Sequence, residues 1–139
     1  MVVAVRRTFT VGVPRARAWQ QFAEIERWPE WAPHITAAQL SPGPLGPTST
    51  GWLKLRGLGR NSFRMTAWNP PDEWTWQGSV ARTRVVYEHR FVDSAQGTQL
   101  EWIVSLEGPV ARLIRPLFAR IYGGNVDRAI PRLQSWIAR

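Results

Sequence analysis

His89 and Tyr87 are two side chains with acid–base chemistry that lie two positions apart in the sequence. Apolar and polar residues alternate around them, which is typical of a half-buried β-strand, so the two side chains share one face, roughly 7 Å apart. Burial on that face would lower the pKa of His89 and keep its ring neutral, able both to accept and to donate a proton. Two interpretations follow: a proton-transfer residue, or a histidine hydrogen-bonded to Tyr87 or to a backbone carbonyl.

Other reactive groups give weaker signals. The second histidine, His34, stands beside Pro33 at a strand start, and the chain contains no cysteine, which excludes disulfides and thiolate chemistry. The hydroxyl residues lack nucleophile-elbow spacing, and the glycines form no phosphate-binding loop. We therefore expect neither a metal nor a cofactor, and hydrolase and nucleotide-enzyme functions are not favoured.

The strand that carries His89 belongs to a segment from Gly51 to Glu107 in which apolar and polar residues alternate. Groups of turn residues interrupt the alternation, so the segment predicts an antiparallel meander. The opposite face carries arginine, glutamate and threonine, with Trp68 among them. The apolar face carries Phe63, Met65, Trp74, Trp76, Val85, Tyr87, His89, Phe91 and Trp102, followed by aliphatic residues on the last strand.

Shorter elements precede the meander. Val2 to Val11 predicts a strand, and Arg15 to Glu24 predicts a helix with apolar residues at helical spacing. A short helical turn from Ile25 to Trp28 should stop at Pro29, because the residue before proline avoids the helical region. Ile35 to Leu40 predicts another strand.

The end of the chain predicts one long helix, with apolar residues at positions 113, 117, 121, 130, 133 and 137. Pro116 suits its first turn, while Gly123 and Pro131 should bend it. From Pro116 to Ala138 it would run about 34 Å. We therefore predict one α+β domain over residues 1–139. A curved antiparallel sheet of six to seven strands wraps around a long C-terminal helix, with short helices after the first strand.

A single helix over a wide aromatic sheet face leaves two interpretations open, a pocket between them or a solid core. If there is a pocket, the predicted lining is the aromatic face listed above together with Leu117 and Ile121 of the helix. The proline- and glycine-rich loop Ser41 to Thr50 is then either a lid over that pocket or a simple connector.

The net charge is +8, and Lys54 is the only lysine. Arginines concentrate after Val110, where they form either a solvated helix face or a weak contact with an anionic membrane. Nucleic acid is not expected as a partner, because the tryptophans map to the inward face. Arg6 and Arg7 follow a short apolar start, the reverse of a secretory signal, and no run is long enough to span a membrane. These features predict a soluble, cytoplasmic protein.

Several motifs resemble those of one large family. They are Val13-Pro14 with Ala18-Trp19, the run from Trp28 to His34 (Trp-Pro-Glu-Trp-Ala-Pro-His), Gly51, the run from Gly97 to Leu100, and Glu107-Gly108 ahead of a terminal helix with Leu133. The chain thereby resembles the START-like superfamily, also written SRPBCC, and more narrowly its polyketide cyclase/dehydrase and lipid-transport group. The resemblance implies a helix-grip fold with a hydrophobic cavity between sheet and C-terminal helix. Members use that cavity for aromatic polyketides, lipids, hormones or quinones. It implies no catalytic residue.

Three functional hypotheses follow. In the first, the cavity binds a small hydrophobic or aromatic molecule, a polyketide, lipid or quinone, with His89 or Tyr87 orienting a polar group. In the second, the protein is a cyclase or dehydrase in which His89 removes a proton next to a carbonyl while Tyr87 or an arginine steadies the enolate oxygen. In the third, it is a membrane-associated lipid or quinone carrier that uses its basic terminal helix. The oligomeric state is left open.

Overall fold

Seven strands form a single sheet in the computed structural model, which describes all residues from 1 to 139. In chain order the elements are β1 (Val2–Val11), α1 (Arg15–Phe22), a 3-10 helix (Ile25–Glu30), β2 (Ile35–Leu40), β3 (Thr50–Leu55), β4 (Gly59–Asn69), β5 (Glu73–Val80), β6 (Thr83–Ser94), β7 (Gly97–Glu107) and α2 (Ala111–Ile137). The strand order is β1-β7-β6-β5-β4-β3-β2, and every neighbouring pair is antiparallel. The predicted α+β helix-grip fold is confirmed, with seven strands.

Irregularities in the strand pairing accompany the curvature of the sheet. The register shifts once in the β1–β7 pair, once in the β2–β3 pair and once in the β4–β5 pair, between Met65 and Ala67. A bulge bends its strand and increases the local twist. It also reverses the alternation beyond it, so Trp68 packs on the inner face, 5.2 Å from Trp19 and 6.3 Å from Trp74 between ring centroids. The assignment of Trp68 to the outer face was wrong because period-2 counting does not detect a bulge.

Helix α2 begins at Ala111 and not at Pro116. Gly108 has a φ of +138° and ends β7, and the Val110 carbonyl already accepts hydrogen bonds from the N–H groups of Leu113 and Ile114. The 3-10 helix likewise continues through Pro29 to Glu30. Its tight turn is held by the Trp28 indole, which donates to the Phe22 carbonyl at 2.8 Å.

The hairpin between β6 and β7 is fastened to the end of β1. Gly97 has a φ of +132°, and a Cβ at that position would overlap the Val11 carbonyl oxygen, so the close approach requires glycine. The buried hydroxyl of Thr98 donates to the Val13 carbonyl at 2.8 Å. These contacts fix where α1 starts, and therefore which of its side chains face the sheet.

The loop between β2 and β3 packs against the body of the fold. Its Leu45 is buried in the main hydrophobic cluster, and the Ser49 hydroxyl accepts a hydrogen bond from the Gly46 N–H at 2.8 Å. None of its residues lines the cavity described below. Among the helices, none has the length and apolar composition required to cross a bilayer.

Candidate functional site

A cavity of about 70 Å³ lies between the concave face of the sheet, the N-terminal helices and α2. Most of the side chains around it are apolar or aromatic. It is lined by Phe22, Trp28, Trp31, His34, Ile35, Leu53, Leu55, Asn61, Phe63, Trp76, Tyr87, Glu88, His89, Trp102, Val104, Tyr122, Val126 and Ala129. We call this space the inner cavity.

The inner cavity is small because aromatic side chains from the N-terminal helices fill most of the concave face. The ring of Phe22 stacks on Trp102 and Trp74, with centroids 5.5 Å and 5.3 Å apart. Trp28 and Trp31 pack beside it. The interior therefore combines the two interpretations left open by the sequence, a largely solid core and a residual cavity. The helical spacing of Phe22 indicated an inward face, but its contact with the cavity went unpredicted.

Five of the side chains predicted to bind a ligand line the inner cavity: Phe63, Trp76, Tyr87, His89 and Trp102. Four others on the same sheet face, Met65, Trp74, Val85 and Phe91, are buried in the hydrophobic clusters but do not reach it. The alternation identified the correct face of each strand. It could not show which part of that face is covered by α1.

Leu117 and Ile121 differ from the expectation. Their side chains are 65% and 51% exposed, and neither lines the inner cavity. The sheet-facing side of α2 instead carries Tyr122, Val126 and Ala129. The reason is helical phase, because at about 100° per residue positions 117 and 121 lie roughly 180° and 140° around the helix from Val126, which faces the sheet. Together with exposed Leu113, these two residues form what we call the α2 stripe.

His89 is enclosed by aromatic rings, with the centroids of Trp74, Trp76 and Phe22 at 5.0, 5.1 and 5.7 Å. Its Nδ1 lies 3.3 Å from the Trp74 carbonyl oxygen. Since a carbonyl only accepts, Nδ1 carries the proton and Nε2 keeps its lone pair. Burial lowers the pKa of His89 to about 3, an effect that the backbone hydrogen bond only partly opposes. The ring is therefore neutral at physiological pH, as the sequence predicted.

Two tyrosines meet at the α2 side of the cavity, Tyr87 from β6 and Tyr122 from α2, with ring centroids 5.8 Å apart. Neither hydroxyl has a hydrogen-bond partner within the protein. Burial raises the pKa of both, and the neighbouring Tyr87 raises that of Tyr122 further. Both hydroxyls therefore stay protonated and remain available as hydrogen-bond donors. Sequence reasoning found Tyr87 but not Tyr122, which lies outside the apolar spacing used for the helix.

Two indole N–H groups of cavity-lining tryptophans also lack an acceptor, those of Trp31 and Trp102. A buried donor without a partner costs about 1–3 kcal/mol. The aromatic wall of the cavity therefore contains hydrogen-bonding capacity that the fold itself leaves unused.

A second concavity, of about 330 Å³, adjoins the inner cavity and shares His34 and Leu55 with it. We call it the outer recess. It lies between the start of β2, the β3–β4 turn and α2. Its remaining lining residues are Pro33, Arg56, Leu58, Ile121, Asn125 and Arg128. The recess is larger than the inner cavity and lies directly beside it.

The chain matches one protein family over residues 2–135, described as polyketide cyclase / dehydrase and lipid transport. The chain belongs to this family. The match covers the sheet and nearly all of α2, and it confirms the resemblance drawn from the motifs. No curated protein matches the chain.

Solved structures share the fold of this family member at low identity. The di-domain ARO/CYC StfQ from the steffimycin biosynthetic pathway has a TM-score of 0.78 at 12% identity, covering 99% of this chain. This chain spans about half, 51%, of StfQ. Protein NE0264 from Nitrosomonas europaea has a TM-score of 0.76 at 15% identity, with 96% of this chain and 93% of that chain covered. The protein TTHA0849 from Thermus thermophilus has a TM-score of 0.76 at 14% identity, with 96% of each chain covered.

Proposed function

We propose that this family member binds a small hydrophobic or aromatic ligand in the inner cavity. The observation that carries the proposal is an apolar, aromatic cavity in which the buried indole N–H groups of Trp31 and Trp102 have no acceptor in the protein. Few polar groups in a mostly apolar pocket are typical of a small-molecule site. A ligand oxygen that accepts from one of these donors would recover the free energy lost when the donor was buried.

The volume of the cavity limits what the ligand is. About 70 Å³ is well below the roughly 300–1,000 Å³ typical of ligand pockets. A ligand of ordinary size therefore places only one end, such as a single ring, in the inner cavity and the rest in the outer recess. Each CH₂ group that it buries contributes about 0.8 kcal/mol.

Filling the inner cavity tests this proposal. Ala129 is buried and lines the cavity from α2, so Ala129→Leu places three additional carbon atoms there. Ala16→Leu adds the same atoms at an exposed position of α1 and serves as the matched control. With 4-phenyl-1-butanol as probe, we expect calorimetric binding to the wild type and the control and weakening of at least about tenfold in Ala129→Leu. Equal affinity in all three proteins would refute the proposed site.

Proton-transfer catalysis is the second candidate, and one observation favours it: His89 lines the cavity with an unprotonated Nε2. In this cyclase or dehydrase reaction, Nε2 removes a proton from the carbon next to a carbonyl, and the C–H electrons form the enolate. The protonated Tyr87 hydroxyl then donates to the enolate oxygen. Binding ranks first because a ring with a pKa of about 3 is a weak base at neutral pH.

Hydrogen–deuterium exchange tests the catalytic candidate directly. The probe is 2-tetralone in D₂O, and NMR follows loss of the proton at the carbon between the ring and the carbonyl. If His89 is the base, the wild type accelerates the exchange and His89→Gln does not, while both proteins bind the ketone equally. Acceleration that persists in His89→Gln, or that is absent from the wild type, would remove His89 from this role.

A membrane-associated carrier is the third candidate, and the α2 stripe favours it. Three apolar side chains stand exposed on successive turns, and the stripe ends at Ile121, which lines the outer recess. Exposed Arg112 and Arg120 flank it, with no acidic residue between Glu107 and Asp127. An apolar stripe bordered by arginines suits the surface of an anionic bilayer. A ligand would then pass between the bilayer and the recess.

A further inference from the structure

The outer recess contains two guanidinium groups, those of Arg56 and Arg128, that form no ion pair with a carboxylate. Arg56 has its Nε and Nη2 atoms 3.4 Å from the Pro33 carbonyl oxygen, and Arg128 donates from Nη2 to the Asn125 amide oxygen at 2.6 Å. Both contacts are to neutral oxygens. Six other arginines of the chain form ion pairs with carboxylates. Both guanidinium groups of the recess therefore lack a direct contact with a carboxylate.

The one carboxylate next to this pair in sequence is already engaged. Asp127 accepts from Nε and Nη2 of Arg7 at 2.7 and 3.2 Å, and this bidentate pair is the main cause of the lowered pKa of Asp127, with a smaller contribution from the charge of Arg128. No acidic residue lines the recess. Since each guanidinium has five N–H donors and uses only one or two of them here, both retain donors for an anionic ligand.

His34 lies where the recess meets the inner cavity and lines both. Its Nδ1 is buried and has no hydrogen-bond partner. Burial, helped by the charge of Arg128, lowers the pKa of His34 to about 4, so the ring is neutral and adds no charge of its own. Any anionic group held at the recess therefore interacts with Arg56 and Arg128 as the charged partners and with His34 as a polar neighbour.

We infer that the ligand of this site is an amphipathic carboxylate, with its apolar end in the inner cavity and its carboxylate held in the outer recess by Arg56 and Arg128. The inference rests on the proposed function, because it names the class of ligand for the same site. Guanidinium groups match the planar geometry of a carboxylate and form charge-assisted hydrogen bonds with it. The two cavities fit this division. The smaller inner cavity has a mostly apolar lining, and the larger outer recess contains the two arginines.

Two probes with one carbon skeleton test the inference, 4-phenylbutyrate and 4-phenyl-1-butanol. We expect the wild type to bind the carboxylate about tenfold more tightly than the alcohol at low salt, a ratio that corresponds to one good charge-assisted contact. In Arg56→Gln/Arg128→Gln, the carboxylate should lose that advantage while the affinity for the alcohol stays unchanged. Both arginines are exposed, so the double variant should fold, which circular dichroism checks.

Arg112→Gln/Arg132→Gln is the matched control, because it removes the same charge from exposed positions of α2 outside the recess. This control should keep the tenfold preference, which separates local recognition from an effect of net charge. Equal binding of both probes by the wild type, or a preference that survives in the recess variant, would overturn the inference and leave the apolar site standing. Failure of the wild type to bind either probe would instead overturn the proposed function.

Discussion

The buried neutral state of His89 makes the stability of the protein depend on pH. Burial lowers the pKa of this ring from 6.5 in the unfolded chain to about 3 in the folded protein. Between these two values only the unfolded chain takes up the proton. The contribution to stability is therefore fully present above pH 6.5 and is lost as the pH falls toward 3.

The size of the effect follows from the unfolded pKa alone while the folded ring stays neutral. At about pH 5, protonation lowers the free energy of the unfolded chain by about 2 kcal/mol per histidine. His34 shifts in the same direction, and because its folded pKa of about 4 also lies below pH 5, it adds a contribution of similar size at that pH. Glu30 and Asp127, whose pKa values are lowered, lose their contributions only below their unfolded values of 4.5 and 3.8. The range above pH 5 therefore reports on the histidines.

Urea unfolding of the wild type, His89→Gln and His34→Gln at about pH 7.5 and about pH 5 measures the effect. We expect the wild type to lose about 4 kcal/mol of unfolding free energy over this range, about 2 kcal/mol from each histidine. His89→Gln should lose about 2 kcal/mol less than the wild type. In His34→Gln the decrease of about 2 kcal/mol caused by His89 should remain. Comparing the two pH values within each protein removes any constant cost of the substitution. If the unfolding free energy of His89→Gln decreased as much as that of the wild type, the conclusion that His89 is buried and neutral would be refuted.

Three further predictions concern the fold and the surface. Gly51→Ala should destabilise the protein by about 1–3 kcal/mol in urea, because the added Cβ would overlap the Gln39 carbonyl oxygen and lie 2.6 Å from the Phe63 ring, while Gly46→Ala, which has space, should not. Thr98→Val should cost about 1–3 kcal/mol by leaving the buried Val13 carbonyl unpaired; a loss below the error of the measurement would contradict this. Replacing all three residues of the α2 stripe with serine should abolish cosedimentation with phosphatidylcholine vesicles containing phosphatidylserine. A wild type that stays in the supernatant at low salt would exclude the membrane surface.

Much of the fold could be predicted from the sequence because its signals are local. Alternation over 51–107 follows the two faces of a sheet, and prolines and glycines mark the turns. The failures have equally local causes. A bulge after Met65 reversed the face of Trp68. Pro116 suits the first turn of a helix, but α2 begins at Ala111 and contains both Pro116 and Pro131.

The site was less predictable than the fold because it depends on contacts between distant segments. His89 and Tyr87 could be placed on an inward face from strand periodicity alone. Phe22 and Trp31 reach the cavity only because α1 and the 3-10 helix cross the sheet, which no sequence period encodes. The outer recess is formed by residues 33–34, 55–58 and 121–128. Arg56 and Arg128 are far apart in the sequence, and only the fold places them in the same recess.

The environment of His89 explains why binding is the stronger interpretation of the cavity. A histidine that acts as a general base usually has its other ring nitrogen paired with a carboxylate, which stabilises the imidazolium that forms. Here Nδ1 pairs with the neutral Trp74 carbonyl, whose effect on the pKa is smaller than the opposing effect of burial. The aromatic rings that make the cavity attractive to an apolar ligand are the same rings that keep His89 from taking up a proton. Catalysis would require a source of negative charge beside this ring, but Glu88, the acidic residue of the cavity lining, pairs with Arg90. Binding requires only the apolar surface that the fold provides.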